Sequence, residues 1–182
     1  MHKTEHLTPT PLLELALDGW KVTGPHTHQC NPGRRYHAVS PDARTSLMAS
    51  TYAAHGPFTY ELLTATTTES WRLLALTPTP AAITAAARAA LSCGKRATIA
   101  ETLLAAGWRA TPVYGSCGAL IEATYTAPDH VTTARLVTKD HTSRPGSGHW
   151  LITHTHGSEP STAEATTPAP VLAAYLLTLT TA

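Results

Sequence analysis

Thr79-Pro80-Ala81-Ala82-Ile83, followed by an alanine-rich run over residues 84–91, returns 88 residues later as Thr167-Pro168-Ala169-Pro170-Val171, followed by residues 172–179. Gly19-Trp20 and Gly107-Trp108 repeat at the same 88-residue offset. Two pairs at one offset mark a tandem duplication. Thr before Pro is the order of an N-cap and a first helical position. Behind it, Ile83, Ala87, Ala90 and Leu91 fall on one helical face, and Val171, Tyr175 and Leu179 repeat that face.

Working outward, the 182 residues divide into a flexible N-terminus (1–10), repeat one (11–91), a linker (92–97) and repeat two (98–182), with the repeats sharing one core. Each unit of about 90 residues lies near the lower range of domain size, which favours a shared interior. From Pro11, the residues Leu12, Leu13, Ala16 and Leu17 follow helical spacing, and Gly19 suits the stop. The counterpart opens at Thr98, an N-cap with Glu101 three residues on, and ends at Gly107. Both tryptophans are expected in the core, where aromatics supply the largest apolar area.

Strands are expected over 21–23, 35–39, 45–52, 58–64 and 71–76, with a loop over the Pro- and Gly-punctuated 24–33. Ser40-Pro41-Asp42-Ala43 reads as a hairpin turn, because Pro presets φ and Asp bonds the backbone two residues on. In repeat two, residues 113–114, 120–125, 132–138 and 150–154 are strand candidates around the turn Ala127-Pro128-Asp129. Residues 139–148 read as a polar loop, and the Ser-, Thr-, Glu- and Pro-rich 155–166 as an inserted mobile loop. The expected fold class is α+β: two pseudo-symmetric repeats, each an antiparallel sheet of four or five strands followed by a closing α-helix.

Charged residues make up 14% of the chain, below the roughly 25% usual in soluble domains, and the net charge is +1. There is no global footprint for nucleic acid or an anionic surface, so any basic face is local. No apolar run approaches the roughly 20 residues of a membrane span, and the N-terminus has no signal-peptide core. Cys30, Cys93 and Cys117 are odd in number and form no CxxC pair. A cytoplasmic location with no membrane partner is the expectation.

Gly19-Trp20, Ser40-Pro41-Asp42, Trp71 and Thr79-Pro80 with Ile83 together resemble the SPDY domain, a short domain of unknown function repeated in actinobacterial proteins and named for a Ser-Pro-Asp-Tyr motif. Repeat two matches more loosely, with Ala127 for the serine, and Ala43 and His130 stand where the motif has tyrosine. The resemblance implies the duplicated fold and carries no activity.

Three chemistries compete. His26-x-His28-x-Cys30 and His154-x-His156, with His149 nearby, are same-face pairs on a strand and would serve a metal-dependent enzyme, yet they lack the fixed third and fourth ligands of a zinc motif. No hydrolase or phosphate-loop motif is present, and Gly115-Ser116-Cys117-Gly118 has no base at a defined spacing. No cofactor is implied. The second chemistry is nucleic-acid binding. Paired strand-and-helix units resemble, in architecture only, the PUR-repeat and Whirly single-strand binders, which need stacking aromatics beside a basic track. The candidates are Arg34, Arg35, Tyr36 and Arg44 in repeat one and Trp108, Arg109, Tyr125 and Arg135 in repeat two, with Lys139 and Arg144 near them and Thr-rich strands offering hydroxyls to phosphate. The leading expectation is therefore a non-catalytic module for single-stranded or distorted nucleic acid. The alternative is a protein-interaction module that uses a sheet edge or the alanine-rich helices.

Overall fold

The structure, a computed structural model, describes residues 8–28, 31–53, 56–66, 69–76, 78–91, 98–138, 148–154 and 160–181. Helix α1 (Thr10–Leu17) leads into strands β1 (Lys21–His28), β2 (Asn31–Val39), β3 (Thr45–Ser50), β4 (Thr59–Ala65) and β5 (Ser70–Leu76), and α2 (Pro80–Leu91) follows. Helix α3 (Ile99–Ala105) then precedes β6 (Arg109–Tyr114), β7 (Leu120–Thr126), β8 (Thr133–Thr138), β9 (Gly148–Thr153) and β10 (Ser161–Glu164), and α4 (Ala169–Leu179) ends the series. All ten strands form one antiparallel sheet in the order β1-β2-β3-β4-β5-β10-β9-β8-β7-β6. The five strands of each half join into this one sheet because β5 pairs with β10.

The Gly-Trp pairs owe their form to helix termination. Gly19 and Gly107 sit at φ +85° and +83° after α1 and α3. Trp20 donates its N–H to Leu15 O at 2.9 Å, and Trp108 donates to Leu103 O at 3.0 Å, which closes a six-residue cap that needs a left-handed residue at its turn. Both indoles are buried, as expected. Thr98 accepts from the N–H of Glu101, and the Glu101 carboxylate accepts from that of Thr98, completing the capping box.

The two Thr-Pro sequences do different work. Thr79 Oγ1 accepts from Ala82 N–H at 3.3 Å and caps α2. Thr167 caps nothing; its hydroxyl donates to Arg72 O on β5 at 3.2 Å, and Pro168 opens α4 without a side-chain cap. Ala82, Ile83, Ala86 and Ala87 of α2 are fully buried, whereas Leu91, expected on that face, is 40% exposed. Small side chains let α2 approach α4, where Val171, Tyr175, Leu176 and Leu179 are buried. Buried residues of both halves form one cluster between the helices and one face of the sheet.

Two further differences lie in the strands. The stretch 24–33, expected as a loop, continues β1 through His28 and begins β2 at Asn31, with a register shift between Thr23 and His26 absorbing Gly24-Pro25. Pro25 and Pro112 lie in β1 and β6, the two edge strands, where a missing N–H leaves no ladder bond unmade. Residues 161–164, expected inside a mobile loop, form β10 at the centre of the sheet. The linker 92–97, residues 139–147 and residues 155–159 lie outside the described residues.

Candidate nucleic-acid interface

Alternation decides what each strand offers. Tyr36, Ala38, Leu47, Ala49, Leu62, Leu73, Ala134, Trp150 and Ile152 are buried toward the helices, so their neighbours in sequence point to the opposite face. Among the described residues no element packs on that opposite face. Residues paired across an antiparallel ladder share a face, so register converts ten strands into rows.

One such row begins at His26 and Arg35, which pair across β1 and β2. It continues through Ser50 on β3, Thr59 on β4 and Leu76 on β5. Extending the β5–β10 and β10–β9 registers carries it past Pro160, just ahead of β10, to Thr153 on β9, and it goes on through Thr133 on β8, Thr126 on β7 and Arg109 on β6. A cation therefore stands near each end, with hydroxyls between and no carboxylate in the row. Ser50 Oγ and Thr59 Oγ1 lie 3.1 Å apart, and Thr133 and Thr153 are likewise joined by their hydroxyls. Arg35 and Arg109 are eight strand steps apart, on the order of 40 Å at about 4.8 Å per step.

Of the strand glutamates of the open face, Glu61 lies in the next row and Glu122 and Glu164 in the row beyond that. Arg72 Nε is 2.5 Å from Glu61 Oε1, and Arg135 Nη2 is 2.5 Å from Glu122 Oε2. The hydrogen bond from Arg135 holds the Glu122 carboxyl below its ordinary value, and that carboxyl holds the guanidinium above its own. Asp129, in the turn beyond Thr126, accepts from the N–H groups of Val131 at 2.8 Å and Thr132 at 3.2 Å.

At the β1 end the row opens into a cleft of about 370 Å³ lined by His26, Thr27, Gly33, Arg34, Arg35, Ser50, Thr51 and Tyr52. Its frame is rigid. Arg34 N–H donates to Thr51 Oγ1 at 3.1 Å, Thr51 N–H donates to Arg34 O at 2.9 Å, and Thr51 Oγ1 donates to Ala53 O at 2.7 Å. The Tyr52 ring is 80% exposed beside it. Gly24, at φ +120°, lets β1 close on β2 here, since a Cβ at that position would lie 2.8 Å from Arg35 O.

The candidates read from the sequence separate accordingly. Arg35 and Arg109 stand in the row, and Arg34 lines the cleft. Arg135 shares the open face but is engaged by Glu122. Arg44 lies in the β2–β3 turn, at the end of the hairpin away from the cleft. Tyr36, Trp108 and Tyr125 are 1%, 3% and 7% exposed and belong to the core, which corrects their expected place as base-stacking rings. Sequence reasoning missed Tyr52 and offered the Thr-rich strands without singling out a threonine. Alternation along each strand could have separated the buried rings from the open face; the row itself needs the register.

The histidine pairs are only partly visible. The side chains of His28, Cys30 and His156 lie outside the described residues. His154 Nδ1 is 2.8 Å from the hydroxyl of the buried Thr132, and His149 lies on β9. Among the described residues no three His, Cys, Asp or Glu side chains come together as a metal site. Among them also no helix is long and apolar enough to cross a membrane. Compared with family models, with curated proteins and with solved structures, the chain matches none of them.

Proposed function

We propose that the protein is a non-catalytic binding module that holds single-stranded nucleic acid along the row from Arg35 to Arg109. The observation that carries this reading is the composition of that row: an arginine near each end, five hydroxyl side chains between them and no carboxylate. Phosphates take charge-assisted bonds from arginine and weaker ones from hydroxyls. A length on the order of 40 Å spans roughly 6–11 nucleotides, between stacked and fully stretched spacing. Fluorescence anisotropy with mixed-sequence single-stranded DNA at low salt is the test. Micromolar binding that weakens steeply with salt supports the reading, and no binding at micromolar protein removes it.

The same reading treats the two halves as copies of one SPDY-like unit working in the cytoplasm without a membrane partner. Its support is the 88-residue offset, the matching helix-strands-helix order and the two Gly-Trp caps.

A protein partner is the second reading, favoured by the β6–β7 hairpin. Val113, Tyr114, Leu120 and Ile121 are exposed there, and residues 110–121 carry no charge. Light scattering after size exclusion, with pull-down in the presence of nuclease, distinguishes it.

A further inference from the structure

We infer that the cleft beside Tyr52 takes a single unstacked nucleotide bearing a terminal phosphate monoester, the phosphate on Arg35 and the base against the Tyr52 ring. This rests on the nucleic-acid reading of the row and names what its β1 end is built for. The cleft volume of about 370 Å³ is at the small end of the about 300–1,000 Å³ of small-molecule sites, room for one nucleotide and not for two stacked ones.

Charge selects the phosphate. Arg34, Arg35 and His26 line the cleft, and among the described residues no carboxylate does. A phosphate monoester carries about −1.5 to −2 at neutral pH and a backbone diester carries one negative charge, so an arginine cleft favours the end of a strand over its interior. Position gives the same answer, because β1 is the last strand of the sheet and the row has no further step beyond His26. Tyr52 completes the site. The bonds between Arg34, Thr51 and Ala53 tie down the backbone on either side, and the exposed ring between them is open to the flat face of a base. The hydroxyls of Ser50 and Thr51 are already engaged with Thr59 and Ala53 and act as walls.

The test uses the full chain and oligonucleotides of about 12 residues, longer than the row, with a dye at one end and either a phosphate or a hydroxyl at the other. Each end is tested in turn, with deoxyadenosine monophosphate as competitor. One phosphorylated end is expected to bind at least tenfold tighter than its hydroxyl counterpart. Arg35→Ala should erase that difference, and Tyr52→Ala should weaken the phosphorylated oligomer about tenfold while Tyr52→Phe keeps it. Circular dichroism confirms that these exposed-site variants fold. Equal binding of all ends, with Arg35→Ala lowering every affinity alike, overturns the inference and leaves the row intact. Competition by the mononucleotide at the concentration of the oligomer itself assigns the cleft to a free nucleotide and overturns the strand end. If the folded protein binds no oligomer, the reading of the row falls first.

Discussion

Leu76 donates its backbone N–H to the hydroxyl of Ser161 at 3.0 Å, a bond between residues 85 apart that ties β5 to β10. Among the described residues the ladder between these strands consists of the pairs Thr162–Leu74 and Ala163–Leu73. Side chains extend it: Thr166 Oγ1 donates to Ser70 O at 3.1 Å and Thr167 Oγ1 to Arg72 O at 3.2 Å. Ser161 Oγ also lies 3.1 Å from Tyr175 Oη on α4, so one buried hydroxyl joins both halves of the sheet to the helix layer.

Ser161→Ala therefore leaves a part-buried backbone donor without its partner. A loss of about 1–3 kcal/mol is expected in urea unfolding, more than the roughly 1 kcal/mol for Tyr175→Phe, which removes a bond but strands no backbone group.

Burial pushes the Tyr175 hydroxyl up to about 12 from its usual 10.0, and the Ser161 bond offsets part of that; burial does the same to Tyr60, also to about 12. The folded state binds these protons more tightly than the unfolded chain does. Their contribution is thus complete below pH 10 and lost as pH rises to about 12. Urea midpoints should fall across that window, with tyrosinate absorbance rising together with unfolding. Ionisation that precedes unfolding would contradict it.

Ala82, Ala86 and Ala87 of α2 are fully buried in the helix layer. Ala86→Leu adds volume at a fully buried position and should cost about 1–3 kcal/mol by overpacking. Ile83→Ala in the same helix should cost about 2–5 kcal/mol through the cavity it leaves. Thermal unfolding of the two variants measures both.

Arginine substitutions test the row. Arg109→Ala is expected to weaken oligonucleotide binding several-fold and to reduce the salt slope by about one. Arg135→Ala should change both less, because its guanidinium is already held by Glu122. Equal effects would mean that the row is not the track.

Tyr125→Leu should leave the oligonucleotide affinity of the folded protein unchanged, since that ring is buried against Trp150 with centroids 5.8 Å apart. Loss of binding without loss of folded protein would return Tyr125 to the site.

Sequence alone determined the local structure. Gly19, Gly107 and the tryptophans after them mark helix ends because a left-handed cap and a buried ring are local requirements. Asp42 and Asp129 set the two turns through bonds to amides two or three residues on. Alternation was enough to locate β3, β4 and β5, and the 88-residue offset pointed to two units. Tertiary structure decided the rest. Short, polar β10 is a strand because β5 and β9 supply its partners, and no periodicity in four residues announces that. Tyr36 and Tyr125 are chemically suited to stacking, and the side from which the helices cover the sheet makes them core. Arg35 and Arg109 meet in one row because register, set by backbone bonds between distant strands, carries no residue pattern of its own.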